Sequence, residues 1–305
     1  MASDSVMSNR QAGPGLPNDR SLSRGQVVVL GASTGVGWAT ALRLQQMGYA
    51  VLATVRRDDD AARLREQGVT PFALDVTAAT DIKALHAQLE GQPLAGVINN
   101  AGVGTLTPLE HMNAVELRHQ FEVNVIGHMS VIQAVLPGLR AGAGRIITVG
   151  SPAGRLASPL NGAYGATKAA LTLMNDTWRR ELAPQGIKVV LIEPGAIKTP
   201  FLSKNIETLE KAIDEGSPEL RSYYGAQIEA MLTSMRKMYG SFASEPDAIA
   251  KVIARALTAS KPRNCYRVGL DARAMIALAT LLPGRLLDVI FRQSVSQKSP
   301  DVQQK

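Results

Sequence analysis

A tyrosine and a lysine stand four positions apart, at Tyr164 and Lys168, in the segment Tyr-Gly-Ala-Thr-Lys. The segment continues into a predicted helix, and at this spacing the two side chains share one helix face. A free tyrosine has a pKa of about 10, which is too high for a base at neutral pH. A neighbouring ammonium group favours the phenolate and lowers that pKa. The pair is therefore suited to moving a proton to or from an alcohol or carbonyl oxygen.

Two further polar residues fit the same chemistry. Ser151 follows an apolar run that predicts a strand, and its hydroxyl can hydrogen-bond the same substrate oxygen. Asn124 lies in a helix predicted over residues 113–136, where a buried amide can hold a water molecule for proton relay. Each residue alone also has an ordinary interpretation, as a surface pair, a turn cap or a tertiary hydrogen bond. Their combined order along one chain favours a catalytic site.

A glycine cluster, Gly-Ala-Ser-Thr-Gly-Val-Gly over residues 31–37, follows the first apolar run and opens a predicted helix. Glycine lets the backbone turn sharply and approach a ligand closely. The N terminus of a helix offers unpaired N–H groups that suit a pyrophosphate. The spacing GxxxGxG differs from the GxGxxG of the usual dinucleotide motif. A strand-to-helix packing turn is the alternative, but the position after the first strand favours cofactor binding.

Other residues that can contact a cofactor stand at predicted strand ends, where open parallel sheets bind their ligands. The segment Asn-Asn-Ala-Gly at residues 99–102 follows one buried strand, and Asp75 follows another. Asp75 can accept a hydrogen bond from an adenine amino group, or it can simply begin a helix. Arg56 follows the second strand, and no acidic residue stands there before Asp58. An arginine at that place can pair with a ribose 2′-phosphate, which favours NADP(H), with NAD(H) as the alternative.

Apolar runs recur along the chain with helix-compatible segments between them. The runs cover residues 27–30, 50–55, 71–74, 94–98, 145–149 and 187–192, and a further short strand is predicted near residues 266–269. Continuously apolar strands are typical of a sheet buried on both faces, and alternation with helices predicts parallel strands. The sequence therefore predicts an α/β fold with a doubly wound, Rossmann-like parallel sheet in a single domain over residues 25–270.

The two ends and one internal segment differ from this pattern. Residues 1–24 are rich in Ser, Gly, Pro and Asn without an apolar run, which predicts a disordered tail rather than a signal peptide. Residues 200–240 are helix-forming with many Met and Tyr side chains, which indicates a substrate-binding segment for an irregular apolar ligand, or ordinary helix packing. Residues 271–305 hold two apolar patches split by Pro283 and Gly284, and they predict a helical tail too short in each part to span a bilayer.

Composition argues against several classes of function. The net charge is +7, but Lys and Arg are scattered without a basic run, so nucleic acid is not an expected partner. Cys265 is the only cysteine, which rules out an intrachain disulfide and fits a cytoplasmic location. The 4 histidines show no metal-ligand spacing, so no metal is expected.

Together these motifs resemble those of the short-chain dehydrogenases/reductases. The resemblance covers residues 26–259 and rests on the glycine cluster, Asn-Asn-Ala-Gly, Asn124, Ser151 thirteen positions before Tyr164, Tyr-Gly-Ala-Thr-Lys, Pro194, Gly195 and Thr199. With the strand-end residues above, it gives as cofactor-binding residues Gly31, Ser33, Thr34, Gly35, Val36, Gly37, Arg56, Asp75, Val76, Asn100, Ala101, Gly102, Tyr164, Lys168, Pro194, Gly195 and Thr199.

The resemblance also implies catalytic roles. It makes Tyr164 the general acid/base, and Lys168 the residue that lowers the pKa of Tyr164 and binds the nicotinamide ribose. It gives Ser151 the task of positioning the substrate oxygen and Asn124 that of supporting the proton relay. Pro194 and Gly195 border the nicotinamide in this scheme, with Thr199 near its carboxamide. The hydride chemistry belongs to the cofactor.

What the resemblance implies for function is an NAD(P)(H)-dependent oxidoreductase acting on a carbonyl or alcohol group. The segment after Gly48 and the C-terminal tail are similar to steroid- and retinol-type members, which implies a lipophilic substrate such as a steroid, a retinoid or a long-chain aldehyde. Family resemblance implies a homodimer or homotetramer, and the apolar tail allows peripheral contact with a membrane. The alternative is a non-catalytic, dinucleotide-sensing regulatory protein on the same fold, which intact Tyr164 and Lys168 argue against.

Overall fold

The apolar runs of the sequence form strands. The computed structural model describes residues 24–296 and contains one seven-stranded sheet. Its strands are β1 (Gln26–Val29), β2 (Ala50–Val55), β3 (Thr70–Ala73), β4 (Leu94–Asn99), β5 (Arg145–Val149), β6 (Lys188–Pro194) and β7 (Cys265–Val268). Each lies within two residues of its predicted position. The tail predicted over residues 1–24 lies outside the described residues, apart from Arg24.

Helices alternate with these strands and then follow them. They are α1 (Gly35–Gln46), α2 (Asp58–Glu66), α3 (Ala79–Leu89), α4 (Ala114–Phe121), α5 (Gly127–Ala141), α6 (Gly162–Leu182), α7 (Pro200–Asp214), α8 (Pro218–Ser241), α9 (Pro246–Thr258), α10 (Leu270–Leu281) and α11 (Gly284–Ser296). A π-helical turn, Glu122–Ile126, joins α4 to α5. The helix predicted over residues 113–136 is therefore interrupted in the middle by a wider turn, a feature frequent at functional sites.

The strand order is β3-β2-β1-β4-β5-β6-β7, and every pair of neighbours is parallel. Going along the chain, the sheet grows outward from β1 to β3 and then resumes on the other side of β1 with β4. This reversal confirms the predicted doubly wound sheet. A crevice opens at such a switch point, beyond the carboxyl ends of β1 and β4, and ligands bind there in folds of this type.

Alternate side chains of the strands feed two separate cores. Val27 and Val29 of β1 pack with helices α1, α2 and α9 on one face of the sheet. Val28 and Leu30 pack with α3, α5 and the end of α6 on the other face. Because successive strand residues point to opposite faces, a strand covered on both sides must be apolar throughout. This explains why the strands appear in the sequence as unbroken apolar runs.

A third, smaller core joins α7 and α8 outside the sheet. It contains Leu209, Ile228, Leu232 and Met235, together with Leu160 from the loop before α6. Further side chains pack against it, among them Leu202, Met231 and Met238. The methionines at 231, 235 and 238 therefore help to pack these two helices together, and the role of residues 200–240 in substrate binding stays a prediction.

Up to residue 296, the C-terminal segment forms the two helices α10 and α11, with Pro283 between them. Residues 297–305 of the predicted tail lie outside the described residues. Several of their large apolar side chains are exposed, namely Leu270, Leu278, Leu281, Leu286, Val289 and Ile290. Between residues 24 and 296, no helix combines the length and apolar character needed to cross a membrane.

The position of Ile147 in the middle of strand β5 gives a first prediction. Its side chain is fully buried, so Ile147→Ala leaves a cavity and should reduce the free energy of unfolding by about 2–5 kcal/mol. The matched control is Leu173→Ala, because Leu173 is 69% exposed and the change should stay within about 0.5 kcal/mol. Urea denaturation followed by circular dichroism measures both. Equal losses in the two variants would contradict the assignment of this core.

Candidate active site

The glycine cluster forms a tight connection between β1 and α1. Gly31 and Gly35 have positive φ angles of 65° and 57°, which side chains rarely tolerate. A Cβ atom on Gly37 would collide with the carbonyl oxygen of Gly31, so α1 begins directly against the strand end. Thr34 occupies the cap position of α1 without a side-chain cap hydrogen bond. The first N–H groups of α1 can therefore bind an anion such as a pyrophosphate.

Asn100 ties the end of β4 to this glycine connection. Its side-chain Nδ2 donates to the carbonyl oxygens of Leu30 at 3.1 Å and Gly31 at 3.2 Å. A Cβ on Gly31 would lie only 2.8 Å from the Cα of Ala101. The two loops at the switch point are therefore in direct backbone contact, and the residues predicted at these two strand ends lie side by side.

Asn124 lies within the π-helical turn, and its side chain is fully buried. Its Oδ1 accepts from the N–H of Val103 at 2.8 Å, and its Nδ2 donates to the carbonyl of Val103 at 2.7 Å. Nδ2 also donates to Oγ1 of Thr167 on α6, at 3.0 Å. Both polar atoms of the amide are thus used by the protein itself. Asn124 therefore joins the loop after β4 to the helix that carries Tyr164, and its support of a proton relay stays a prediction.

Tyr164 and Lys168 lie one turn apart on α6, as their spacing predicts. The Lys168 Nζ lies 5.6 Å from the centre of the Tyr164 ring. It donates to the carbonyl oxygen of Val149 at the end of β5, at 3.0 Å. Burial of the lysine, which is 3% exposed, lowers its pKa to about 8. The amine is therefore held at the carboxyl edge of the sheet and stays protonated at neutral pH.

Two opposing influences set the pKa of the Tyr164 phenol. Burial raises this pKa and a hydrogen bond with the Ser151 side chain lowers it, and the net result is a pKa of about 12. Ser151 lies two residues after the end of β5, and its Oγ also accepts from the N–H of Ala153 at 3.2 Å. The sequence predicted a pKa below the usual value, because it placed an ammonium group near the phenol but could not weigh the burial. In this protein the burial dominates, so Tyr164 is a phenol at neutral pH.

The Pro-Gly loop after β6 approaches the glycine cluster from the other side. A Cβ on Gly35 would lie 2.9 Å from the Thr199 methyl carbon. The loop is held from behind by Asp271 of α10, whose Oδ2 accepts from the N–H of Ala196 at 2.7 Å. The same carboxylate occupies the space that a side chain on Gly195 would need. Sequence reasoning missed Asp271, because an acid in the first turn of a helix has an ordinary explanation.

Arg56 and Asp75 lie together at the other end of the crevice. Arg56 is exposed after β2, and its positive charge contributes to the pKa of Asp75. Partial burial opposes the shift, but hydrogen bonds from Thr77 and the charge of Arg56 leave the pKa of Asp75 below its usual value. Asp75 Oδ1 accepts from the N–H and the hydroxyl of Thr77. Val76 packs against Gly127 at the start of α5.

His128 is a second residue that the sequence did not assign to the site, since the histidines show no metal-ligand spacing. Only 1% of it is exposed, and its Nε2 lies 2.6 Å from the carbonyl oxygen of Ala101. Burial lowers its pKa to about 3, and the positive charge of Lys168 acts in the same direction. The ring is therefore neutral, and Nε2–H donates to the loop that follows β4. The spacing of four residues between Asn124 and His128, about one helical turn, is the sequence signal that could have identified His128 as a site residue.

The fold and this arrangement define an α/β enzyme of the dinucleotide-dependent type. A family model described as short chain dehydrogenase matches residues 26–210, and the chain belongs to that family. The match spans the sheet from β1 to β6 and includes all the residues that meet at the crevice up to α7.

Individual relatives agree with this assignment. Human retinol dehydrogenase 5 is 31% identical over 279 residues, which cover 87% of this chain and 87% of that protein. The NADPH-dependent 3-dehydrocapnine reductase of Ornithobacterium rhinotracheale is 32% identical over 285 residues, covering 88% of this chain and 97% of the reductase. The crystal structure of a short-chain dehydrogenase from Streptomyces avermitilis, 26% identical, superposes with a TM-score of 0.70 and covers 92% of this chain and 100% of its own. The chain is accordingly an oxidoreductase of this family.

The buried state of His128 predicts a specific sensitivity to acid. Its pKa is about 3 in the folded protein against 6.5 for an ordinary histidine, so the unfolded chain binds more protons between these values. Stability should therefore decrease as the pH falls below about 6.5, by up to about 1.4 kcal/mol per pH unit from this residue. His128→Gln, whose amide can still donate to Ala101, should remove this contribution.

Urea denaturation of the wild type and His128→Gln at several pH values from about 4.5 to 7.5 measures the difference. His119→Gln is the control, because His119 is exposed. If the His128→Gln variant loses stability on acidification as steeply as the wild type, His128 is not the neutral buried group described above.

Proposed function

We propose that the chain is an NADP(H)-dependent oxidoreductase that moves a hydride between nicotinamide and a carbonyl or alcohol group. One observation carries this proposal: Ser151, Tyr164 and Lys168 meet at the carboxyl edge of the sheet, beside the glycine connection. A phenol hydrogen-bonded to a serine, one helical turn from a buried amine, has the geometry of a proton donor for a substrate oxygen.

The residues around the crevice fit a nicotinamide dinucleotide. Positive φ angles at Gly31 and Gly35, and the α1 N terminus without a side-chain cap, leave bare backbone where a pyrophosphate would approach. When bound, the nicotinamide would supply or accept the hydride. The residues proposed to hold the cofactor are Gly31, Ser33, Thr34, Gly35, Val36, Gly37, Arg56, Asp75, Val76, Asn100, Ala101, Gly102, Tyr164, Lys168, Pro194, Gly195 and Thr199.

The side chains of the chain itself hold and move the proton. The hydroxyl groups of Ser151 and Tyr164 would hydrogen-bond the substrate oxygen. A pKa of about 12 keeps Tyr164 protonated at neutral pH, so the phenol can give its proton to a carbonyl oxygen as the carbonyl carbon is reduced. In the opposite direction the phenol oxygen must accept the proton of an alcohol, and the positive charge of Lys168 would assist by favouring the phenolate.

Removing the phenol hydroxyl tests this assignment. Tyr164→Phe keeps the ring but not the proton, so turnover should fall by about 100-fold or more while binding of NADPH changes little. Tyr223→Phe is the control, because Tyr223 is 71% exposed and lies on α8. Oxidation of NADPH is followed by its absorbance, over a panel of steroid, retinoid, aliphatic and aromatic carbonyl compounds. Near-normal turnover in Tyr164→Phe, or NADPH binding without turnover of any compound by the wild type, would contradict the proposal.

A preference for NADP(H) over NAD(H) is the second part of the proposal. At the end of β2, Thr54 accepts from the N–H of Gly31 at 3.1 Å through its hydroxyl. No acidic side chain stands at this strand end to bind the ribose hydroxyls and repel a phosphate. Arg56 is exposed directly after the strand, in a place where a 2′-phosphate could form a charge-assisted contact. The NADPH-dependent 3-dehydrocapnine reductase among the relatives supports the same choice.

The preference can be measured with two neighbouring arginines. Arg56→Ala should reduce kcat/KM with NADPH about tenfold or more relative to NADH, because a hydrogen bond to a charged group is worth about 1.5–3 kcal/mol. Arg57→Ala is the matched control, since Arg57 instead pairs with Asp59 at 3.5 Å. A wild type that prefers NADH, or an unchanged preference in Arg56→Ala, would refute this part of the proposal.

A lipophilic substrate and a homo-oligomer complete the proposal. The name of the retinol dehydrogenase relative supports a lipophilic alcohol or carbonyl compound. Phe201, which is 39% exposed, supports it as well, because it brings an apolar ring to the crevice. The exposed apolar side chains of α10 and α11 suit either a subunit contact in a homodimer or homotetramer, or a peripheral contact with a lipid surface.

A further inference from the structure

The ring of Phe201 lies directly on the ring of Tyr164. The ring centres are 5.4 Å apart and the planes are tilted by 42°, which is close aromatic contact. Phe201 nevertheless keeps 39% of its surface exposed. One part of the phenylalanine therefore covers the phenol ring, and another part remains available to a molecule that enters the crevice.

Gly104 completes this contact from the loop after β4. A Cβ on Gly104 would lie 2.5 Å from Cδ2 of Tyr164 and 3.1 Å from Cζ of Phe201. The first distance leaves no room for a side chain unless the Tyr164 ring moves, and the second is tighter than an ordinary contact, so the two rings fill most of the space that a larger residue would need. The Phe201 ring can therefore occupy its position because residue 104 is a glycine and has no side chain.

Asn205 fixes the helix turn that carries Phe201. Its side chain is almost fully buried, and its Nδ2 donates to the carbonyl of Phe201 at 2.9 Å. Its Oδ1 accepts from the N–H of Leu106 at 3.1 Å, in the same loop as Gly104. The start of α7 is thus tied to this loop by one amide, which holds the phenylalanine over the phenol.

We propose that Phe201 is a specificity-determining residue of this active site, and the inference rests on the proposed function. Its partly exposed ring forms a wall beside the phenol ring of Tyr164, and the carbon skeleton of the substrate would lie against this wall. A flat or unbranched skeleton next to the carbonyl group can lie along this ring. A skeleton with a quaternary carbon next to the carbonyl group would clash with this ring, because packed side chains do not move by the width of a methyl group without an energetic cost.

The cover over the phenol can be tested without a substrate. With N-acetylimidazole, the Tyr164 oxygen bonds to the acetyl carbon, the bond to imidazole breaks, and the phenol proton ends on the imidazole. Phe201→Ala should accelerate this acetylation, read by mass spectrometry of the Tyr164 peptide, by about two- to tenfold, the weight of one aromatic contact. Phe242→Ala, at a position 61% exposed at the end of α8, should leave the rate unchanged. Equal acetylation rates in the wild type and Phe201→Ala would contradict the claim that the Phe201 ring covers the phenol of Tyr164.

The specificity itself is tested with aldehydes that differ in branching beside the carbonyl: benzaldehyde, hexanal and pivaldehyde. The ratio of kcat/KM for pivaldehyde to that for benzaldehyde should rise about tenfold or more in Phe201→Ala, the range of one or two methyl groups in a pocket. Phe242→Ala should keep the wild-type ratio. A change by the same factor for all three aldehydes would overturn the role in specificity.

The inference and the proposed function fail in different ways. A wild type that reduces no carbonyl compound contradicts the proposed function and with it the specificity role. A wild type that reduces aldehydes, with neither the aldehyde ratio nor the acetylation rate changed in Phe201→Ala, contradicts the inference alone. Gly104→Ala gives an independent check: the added methyl should displace the two rings, and it should lower kcat for benzaldehyde even where the variant remains folded by circular dichroism.

Discussion

The close approach of two backbone loops at the carboxyl ends of β1 and β4 controls the geometry of this site. Asn100 donates to the carbonyl groups of Leu30 and Gly31, and Gly31 has no room for a side chain beside Ala101. These contacts therefore fix the position of the glycine connection, where a cofactor is proposed to bind, relative to the loop that leads to Gly104. If the two loops separated by the width of one methyl group, the proposed cofactor-binding residues and the catalytic residues would no longer be correctly placed relative to each other.

Behind this contact, buried polar side chains hold main-chain groups in place. Asn124 holds Val103, His128 holds the carbonyl of Ala101, and Lys168 holds the carbonyl of Val149. Each is nearly fully buried, and removing one would leave a main-chain partner unsatisfied at a cost of about 1–3 kcal/mol. The π-helical turn between α4 and α5 brings Asn124 to its place. The chain thus uses polar groups in its interior to fix loops that apolar packing alone would leave less well defined.

Much of this architecture follows from the sequence. Six strands follow from apolar runs, because a strand covered on both faces needs apolar residues at nearly every position. The edge strand β7 differs, since it contains the exposed Arg267. Tyr164 and Lys168 were found because their spacing matches one helical turn. Bounds differed by one or two residues, since strand ends depend on hydrogen bonding between strands that a single sequence does not display.

Other features depend on distant contacts and were out of reach. The pKa of Tyr164 is set by burial, which only the packed structure reveals. His128 belongs to the site because the loop after β4 packs against α5, a tertiary contact that the sequence does not show. The methionines over residues 200–240 were ambiguous, since an apolar side chain can face a ligand or a neighbouring helix with the same periodicity. In the structure Met231, Met235 and Met238 pack in the core of α7 and α8.

The carboxylate of Asp271 links the evolution of three separate positions. It occupies the space next to both Gly195 and Gly269, and no side chain fits at either glycine while it is there. Gly269 also has a φ of 102°, in the left-handed region that favours glycine. A larger residue at 195 or 269 can be accepted only in a lineage that has also shortened residue 271 or shifted α10. These three positions should therefore be inherited as a block, and an exchange of the C-terminal helices between relatives would have to carry the Pro-Gly loop with it.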